Sequence, residues 1–234
     1  NASASDVSFA FTLGGGSASA SDYGSPAFSN GVVLNGNGTI TVPAGVTSFT
    51  VTVPTTQDTI DEPNETVPLT VGGVSATGTI VDDDAPPTVV SVEPGVPGPT
   101  GDTVPEGTDL VYTVTLSNAS ASDVSFAFTL GGGSANTSDY GAPTFSNGVV
   151  LNGNGTITVP AGVTAFTVTV PTTQDTIDEA DETVPLSVGG VAATGTIVDD
   201  DAPPSVVSVE PGVPGPAGDT VPEGTDLVYT VTLS

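Results

Sequence analysis

The residues in this 234-residue chain best suited to chemistry are carboxylates. Asp175, Asp178, Glu179, Asp181 and Glu182 crowd into one short stretch after Gln174, and Asp199, Asp200 and Asp201 follow seventeen residues later. The chain holds 27 acidic residues and no Lys, Arg or His, a formal charge of −27. No side chain of its own can neutralise those groups. Carboxylate oxygens gathered at a loop, with no thiolate or imidazole nearby, suit a hard cation that takes about six to eight oxygen ligands, which means calcium ahead of magnesium and well ahead of zinc.

The same composition closes off other functions. Nucleic-acid binding depends on cationic contacts to phosphate, so no nucleic-acid partner is expected. Docking on anionic lipid is disfavoured for the same reason. Without His, Cys or Lys there is no Ser-His or Cys-His pair, no Schiff-base lysine and no zinc site of the usual ligands. A carboxylate pair of the glycosidase type remains formally possible. Such sites use aromatic and basic substrate contacts, however, and the chain has no Trp. The reading is a protein that is not an enzyme. With no Cys it cannot form the disulfides common in secreted animal domains, which favours a bacterial surface protein. No signal peptide, lipidation motif or long apolar run is present, so the expectation is an internal piece and no membrane insertion.

Self-comparison organises the chain. Asn1 to Leu13 recurs as Asn118 to Leu130, a period of 117 in which 106 positions are the same. A period of that size means tandem domains and not a solenoid of small units. Pro86-Pro87 and Pro203-Pro204 punctuate the frame. A domain starting after each pair gives a partial repeat over 1–85 lacking its first two strands, a complete repeat over 86–202, and the first two strands of a following repeat over 203–234. Two explanations stay open: a window cut from a longer array, or molecules that lend their C-terminal strands to the incomplete front of the next.

Within the complete copy, period-2 alternation and turn signals mark short strands. Leu110, Tyr112, Val114 and Leu116 face one side with Val111, Thr113 and Thr115 between them, and Val124, Phe126, Phe128 and Leu130 repeat the pattern before Gly131-Gly132-Gly133. Asn152-Gly153-Asn154-Gly155 predicts a tight hairpin into Thr156–Val159. Phe166–Val170, Val184–Val188 and Ala193–Val198 follow, with Pro185 predicting an edge strand or a bulge. About seven strands per repeat and no helical stretch predict tandem immunoglobulin-like β-sandwiches, with Tyr112, Phe126, Phe128 and Phe166 as packing residues. Pro94 to Pro99 is read as an extended loop, with a partner-binding strip as the alternative.

Val104-Pro105-Glu106-Gly107, the Tyr-Thr-Val-Thr-Leu strand, Ser138-Asp139-Tyr140, Pro160 to Thr164, the acidic Asp175 to Glu182 loop and Thr194 to Asp201 together resemble the Calx-beta family, in order and across the whole repeat. The absence of basic residues brings it closer to the repeats of giant bacterial adhesins of the type I secreted, RTX kind. The resemblance implies a Greek-key Calx-beta sandwich with calcium at one end. By motif position it implies ligands at Glu106, Asp139, Asp175, Glu179, Glu182, Asp199, Asp200 and Asp201, with Asp178 a less secure addition. In the first copy the matching positions are Asp22, Asp58, Glu62, Glu65, Asp82, Asp83 and Asp84, and the counterpart of Glu106 would lie before residue 1.

The function expected on this footing is a calcium-stiffened extender at the bacterial cell surface, holding an adhesive tip away from the cell in adhesion and biofilm. Its partners are neighbouring repeats or identical chains. The alternative is a subunit of a self-assembling extracellular filament whose C-terminal strands complete the next subunit. Ala202-Pro203-Pro204 makes a short, stiff joint, since proline fixes φ.

Overall fold

The computed structural model describes residues 1–95, 103–212 and 220–234. The Pro94–Pro99 strip falls, from residue 96 onward, outside the described residues. The described chain is all-β. The first 85 residues carry β1 (Val7–Leu13), β2 (Ala27–Phe28), β3 (Val33–Asn35), β4 (Thr39–Val42), β5 (Val51–Thr52), β6 (Glu65–Val71) and β7 (Val74–Ile80). The middle repeat carries β8 (Val89–Pro94), β9 (Thr103–Pro105), β10 (Leu110–Leu116), β11 (Val124–Leu130), β12 (Thr144–Phe145), β13 (Val150–Leu151), β14 (Thr156–Val159), β15 (Ala165–Val170), β16 (Glu182–Val188) and β17 (Val191–Val198). β18 (Val206–Pro211) and β19 (Tyr229–Leu233) end the chain.

The middle repeat is an immunoglobulin-like sandwich. One sheet runs β12-β15-β10-β8 and the other β13-β14-β11-β16-β17-β9. β10 alternates buried and half-buried at every residue. That is the pattern its Leu/Tyr/Val/Leu and Thr alternation requires of a strand with one face in the core. Leu110, Tyr112, Val114, Phe166, Val168, Ile157 and Val184 form the centre of one continuous core. Each such side chain contributes about 1.5–3 kcal/mol over leaving it in water. Phe128 and Phe145 meet edge-on with ring centres 5.4 Å apart, and Phe126 packs at the border of the core, half-buried.

The hairpin at Asn152–Gly155 forms as its residues require. β13 pairs antiparallel with β14, and Gly155 takes φ +78° where a side chain would be strained. Ten strands replace the expected seven or so because β12 and β13 are two-residue pieces of what reads as loop, and because β9 joins β17 in parallel over only three residues.

The expectation of an edge or bulge at Pro185 does not hold. β16 lies inside its sheet, and its pairing with β17 runs through Pro185↔Thr194 without a register shift. The missing N–H is tolerated because β11, the neighbour on that side, ends at Leu130. The Gly131 N–H donates to the Pro185 carbonyl at 2.8 Å. Beyond it the chain passes so close that a Cβ on Gly133 would stand 2.1 Å from the Thr183 oxygen and 2.7 Å from Pro185 Cδ.

The first 85 residues repeat only part of this. The five-stranded sheet β3-β4-β1-β6-β7 faces the two-residue pair β2-β5, around a smaller core of Phe11, Val32, Ile40 and Val42. Among the described residues, β18 and β19 pair only with each other.

Tyr112 ties the two sheets of the middle repeat together. Its ring is fully buried, its hydroxyl donates to the Val184 carbonyl and accepts from the Gly195 N–H at 3.3 Å, and burial raises its pKa to about 12. Tyr112→Phe keeps the ring and removes the hydroxyl's bonds to two backbone groups that β16 and β17 already pair with each other, so the urea midpoint of the middle repeat should fall by the equivalent of about 0.5–1.5 kcal/mol. An unchanged midpoint would show that the hydroxyl adds nothing to the tie between the sheets.

Candidate metal centre

The loops at one end of each sandwich bring carboxylates together from distant parts of the chain. In the middle repeat Asp139, Glu179 and Glu182 present oxygens that all lie within 4.8 Å of one another, and so do Glu106, Asp199 and Asp201. The first 85 residues form Asp22, Glu62 and Glu65 in the same way. Strand ends fix several of these positions: Glu106 follows β9, Glu182 begins β16, and Asp199 to Asp201 leave β17. Asp139 is held in a turn where it accepts from the Asn136 N–H at 2.6 Å and the Ser138 hydroxyl at 3.1 Å.

The remaining expected ligands stand around these groups. Asp175 accepts from the Ile177 N–H at 2.7 Å, and its own N–H points to Glu106 Oε2 at 3.5 Å. Asp58 makes the same turn to Ile60 at 2.8 Å. Asp200 accepts from the Gln174 amide at 2.8 Å and Asp83 from Gln57 at 2.9 Å, so those two turn toward glutamine. Asp82 and Asp84 line one cleft of about 260 Å³ with Asp22, Glu62 and Glu65. Asp178 lies apart, at a groove with Ile177, Ala202, Pro204 and Ser234.

The electrostatics is repulsive throughout. Burial, then the charge of Asp58 and Asp22, raises the pKa of Glu62. Burial and the neighbouring aspartates do the same to Glu106, Asp84, Glu179 and Asp201. Glu65 is raised by burial and by its hydrogen bond with Asp22. Asp22 is lowered chiefly by hydrogen bonds from Ser19. At Asp139 burial works upward, but hydrogen bonds from Asn136, Glu182 and Ser138 hold it low. Glu182 is pushed by burial, and then by Asp139, up to about 7. Asp201 Oδ2 is buried with no hydrogen-bond partner. A buried carboxylate oxygen left unpartnered is costly unless a cation reaches it, and Asp201 belongs to the Glu106–Asp199–Asp201 group. The donor set is all oxygen, from side chains too short and too close to tolerate one another's charge, and it fits a hard divalent ion.

One residue of the loop has a role that no local sequence pattern announces. Asp61, beside Glu62, reaches across to the next repeat. Its N–H donates to the Ala119 carbonyl at 3.1 Å, its carbonyl accepts from the Ala121 N–H at 2.9 Å, and its Oδ2 accepts from the Ser120 hydroxyl at 2.8 Å. Asn118 adds a bond from its amide to the Ala85 carbonyl at 2.9 Å. Nothing in an acidic loop distinguishes the one aspartate that faces a neighbouring domain, because its partners lie about sixty positions away on another sandwich.

No family profile matches the chain, and no curated protein matches it. Among solved structures it is similar to domains 4 and 5 of the S-layer protein SbsC, at 18% identity and TM-score 0.30, over 59% of this chain and 65% of that one. It is also similar to the calcium binding domain CBD12 of CALX1.1, at 13% and 0.26, over 79% and 68%. A third is the C-terminal domain of the Streptococcus pyogenes antigen I/II-family protein AspA, at 14% and 0.27, over 68% and 59%. The chain thus spans less than two thirds of the S-layer pair. Among the described residues no helix is long and apolar enough to cross a membrane.

The Glu182 shift fixes a pH dependence. A group whose folded pKa lies above its ordinary 4.5 binds more protons folded than unfolded, so stability falls as pH rises from about 4.5 to about 7. In chelator, the Tm of the middle repeat should therefore drop across that window. Saturating calcium should flatten the profile, and Glu182→Gln should lessen its slope without calcium. A chelated protein whose Tm climbs from pH 5 to 7 would contradict the assignment.

Proposed function

We propose that this chain is a structural extender of a large bacterial surface adhesin, stiffened by calcium and acting outside the cell in adhesion and biofilm. The observation that carries the reading is the three-carboxylate group of Glu106, Asp199 and Asp201, in which Asp201 also has a buried Oδ2 unpartnered among the described residues, in a chain without a single basic side chain. Calcium, when bound, supplies the positive charge that these groups require.

The chain's own residues supply the mechanical coupling. Glu62 belongs to a carboxylate group and Asp61 to the inter-repeat clasp, so they are consecutive residues of one loop. Fixing the first fixes the second. The connection is otherwise three residues, Ala85-Pro86-Pro87, of which Pro87 is buried, and proline leaves little freedom in φ. With the carboxylates held together, the loop, the clasp and the linker form one stiff joint. With the ion removed, like charges at this spacing separate and the loop carrying Asp61 is no longer held. Extending and stiffening require no catalytic group, and the reading assigns none.

Two measurements test this. Small-angle scattering should give a longer, narrower particle in calcium than in chelator. Thermal unfolding should gain the linkage expected of a bound ion, about 2.7 kcal/mol at free calcium near a hundred times Kd. No change in either would remove calcium from the account. Asp61→Ala should leave each repeat's midpoint within about 0.5 kcal/mol, as for a surface position, while broadening the distribution of particle lengths in calcium. An unbroadened distribution would mean that the linker alone sets the joint.

A further inference from the structure

We infer that Asn37 and Asn154, at the tips of the β3–β4 and β13–β14 hairpins, are sites of spontaneous deamidation, and that the fold protects the other Asn-Gly pairs of the chain. Asn-Gly occurs at Asn30, Asn35, Asn37, Asn147, Asn152 and Asn154. All six are open to the reaction in an unfolded chain, because glycine has no side chain to hinder attack by its nitrogen and asparagine is among the thermolabile residues. The glycine nitrogen gives up its proton to water and bonds to the asparagine Cγ. The Cγ–Nδ2 bond then breaks, Nδ2 takes a proton and leaves as ammonia, and a succinimide remains. Water adds to one of its two carbonyls and opens the ring. Breaking the bond from nitrogen to Cγ gives aspartate; breaking the main-chain bond gives isoaspartate. Water is the only co-reactant, and each event adds one carboxylate to a chain without a basic side chain.

What holds the leaving amide separates the six. Asn147 Nδ2 donates to the Ala165 carbonyl at 2.7 Å and Asn30 Nδ2 to the Ser48 carbonyl at 2.8 Å. Asn152 Nδ2 donates to the hydroxyls of Thr156 and Thr158, and Asn35 Nδ2 to those of Thr39 and Thr41, all at 3.0 Å. Such bonds must break before ammonia can leave, and each slows the reaction by roughly a factor of five. Asn154 and Asn37 are bound the other way round. Asn154 Oδ1 accepts from the Thr156 hydroxyl at 2.8 Å and the Thr156 N–H at 3.3 Å, and Asn37 Oδ1 accepts from the Thr39 hydroxyl at 2.7 Å. Their Nδ2 atoms donate to nothing among the described residues. The partners fix these orientations, since a backbone carbonyl only accepts and a backbone N–H only donates. Oδ1 survives into the imide and carries the negative charge of the tetrahedral intermediate, so donors at that atom favour the reaction.

Space and exposure agree. Asn37, Asn154 and the glycines after them are exposed, whereas Asn35 and Asn152 are half-buried. A Cβ on Gly38 or Gly155 would meet nothing within 4 Å, while one on Gly148 would stand 3.4 Å, and one on Gly31 3.5 Å, from a proline ring carbon. The attacking nitrogens at the tips are weakly held. Gly155 N–H reaches the Asn152 carbonyl at 3.4 Å and Gly38 N–H the Asn35 carbonyl at 3.3 Å, both long for such bonds. The arrangement is the same in both repeats and is independent of calcium. Isoaspartate lengthens the turn by one main-chain carbon, and because loop length selects the turn, it loosens the pairing of β13 with β14 and of β3 with β4.

Peptide mapping tests this on the 234-residue protein, incubated at mildly alkaline pH with and without urea. Chymotryptic fragments ending at Phe49 and Phe166 differ at Ser48 and Ala165, which tells the two copies apart. Conversion is read as the mass gained when NH is exchanged for O. In the folded protein Asn37 and Asn154 should convert at least about fivefold faster than the other four, and in urea all six should convert at comparable rates. Thr158→Val removes one of the two bonds holding the Asn152 amide, so conversion there should rise by about fivefold while Asn147 stays unchanged. Conversion of Asn30, Asn35, Asn147 or Asn152 as fast as that of the hairpin tips in the folded protein overturns the inference, and so does protection of all six. A preference for Asn37 and Asn154 that persists in urea would assign the selectivity to neighbouring residues and overturn the role of the fold. An Asn152 rate unmoved by Thr158→Val would overturn tethering of the amide as the cause of protection.

Discussion

Charge repulsion with no internal counter-charge is the condition under which everything else in this molecule has to work. Twenty-seven carboxylates and no cationic side chain would favour expansion of any compact state. The fold does not disperse the charge. It concentrates part of it, setting three carboxylates within 4.8 Å of one another at the same end of each sandwich. Paired or solvated acids on a surface would need no such arrangement. Grouping them makes the charge of each carboxylate depend on its neighbours, and one such group, through Glu62, adjoins the Asp61 contact between repeats.

The sandwich itself was largely legible. In β10 every second residue is apolar and large, a pattern only a half-buried strand satisfies, and Asn152–Gly155 permits one kind of turn. β9 was not legible, since three residues carry no period. Its parallel pairing to β17 depends on where the preceding loop delivers the chain. Pro185 misled because proline constrains its own strand, while its tolerance here comes from a neighbour that stops at Leu130. The carboxylates were legible as residues but not as groups. Glu106, Asp139 and Glu182 come from the end of one strand, a turn and the start of another strand, and only a resemblance across the whole repeat joined them beforehand. Asp61 was the real omission. Its role is defined by Ser120 on another domain, and no local pattern within an acidic loop announces a contact of that kind.

The two copies also illustrate how one sequence reads in two settings. Tyr112 and Tyr229 share their neighbours in sequence, yet one is the buried tie between sheets and the other lies open to solvent. The difference is the presence of an opposing sheet. Secondary structure in β18 and β19 is fixed locally by their pairing, while burial is supplied from outside the pair. Gly78 and Gly195 make the matching comparison from the other side. The same absent side chain is empty space in one place and a tight seat for a leucine in the other.

The clasp between Asp61 and the Asn118–Ser122 turn uses backbone groups on both partners as well as side chains, which fixes direction as well as distance. Repeats that are joined by the same bonds at the same positions meet their neighbours at the same angle. A joint of this kind passes its own tilt and rotation to whatever repeat follows through the same bonds, and that orientation is set by a handful of residues at the junction and not by the sandwiches they connect.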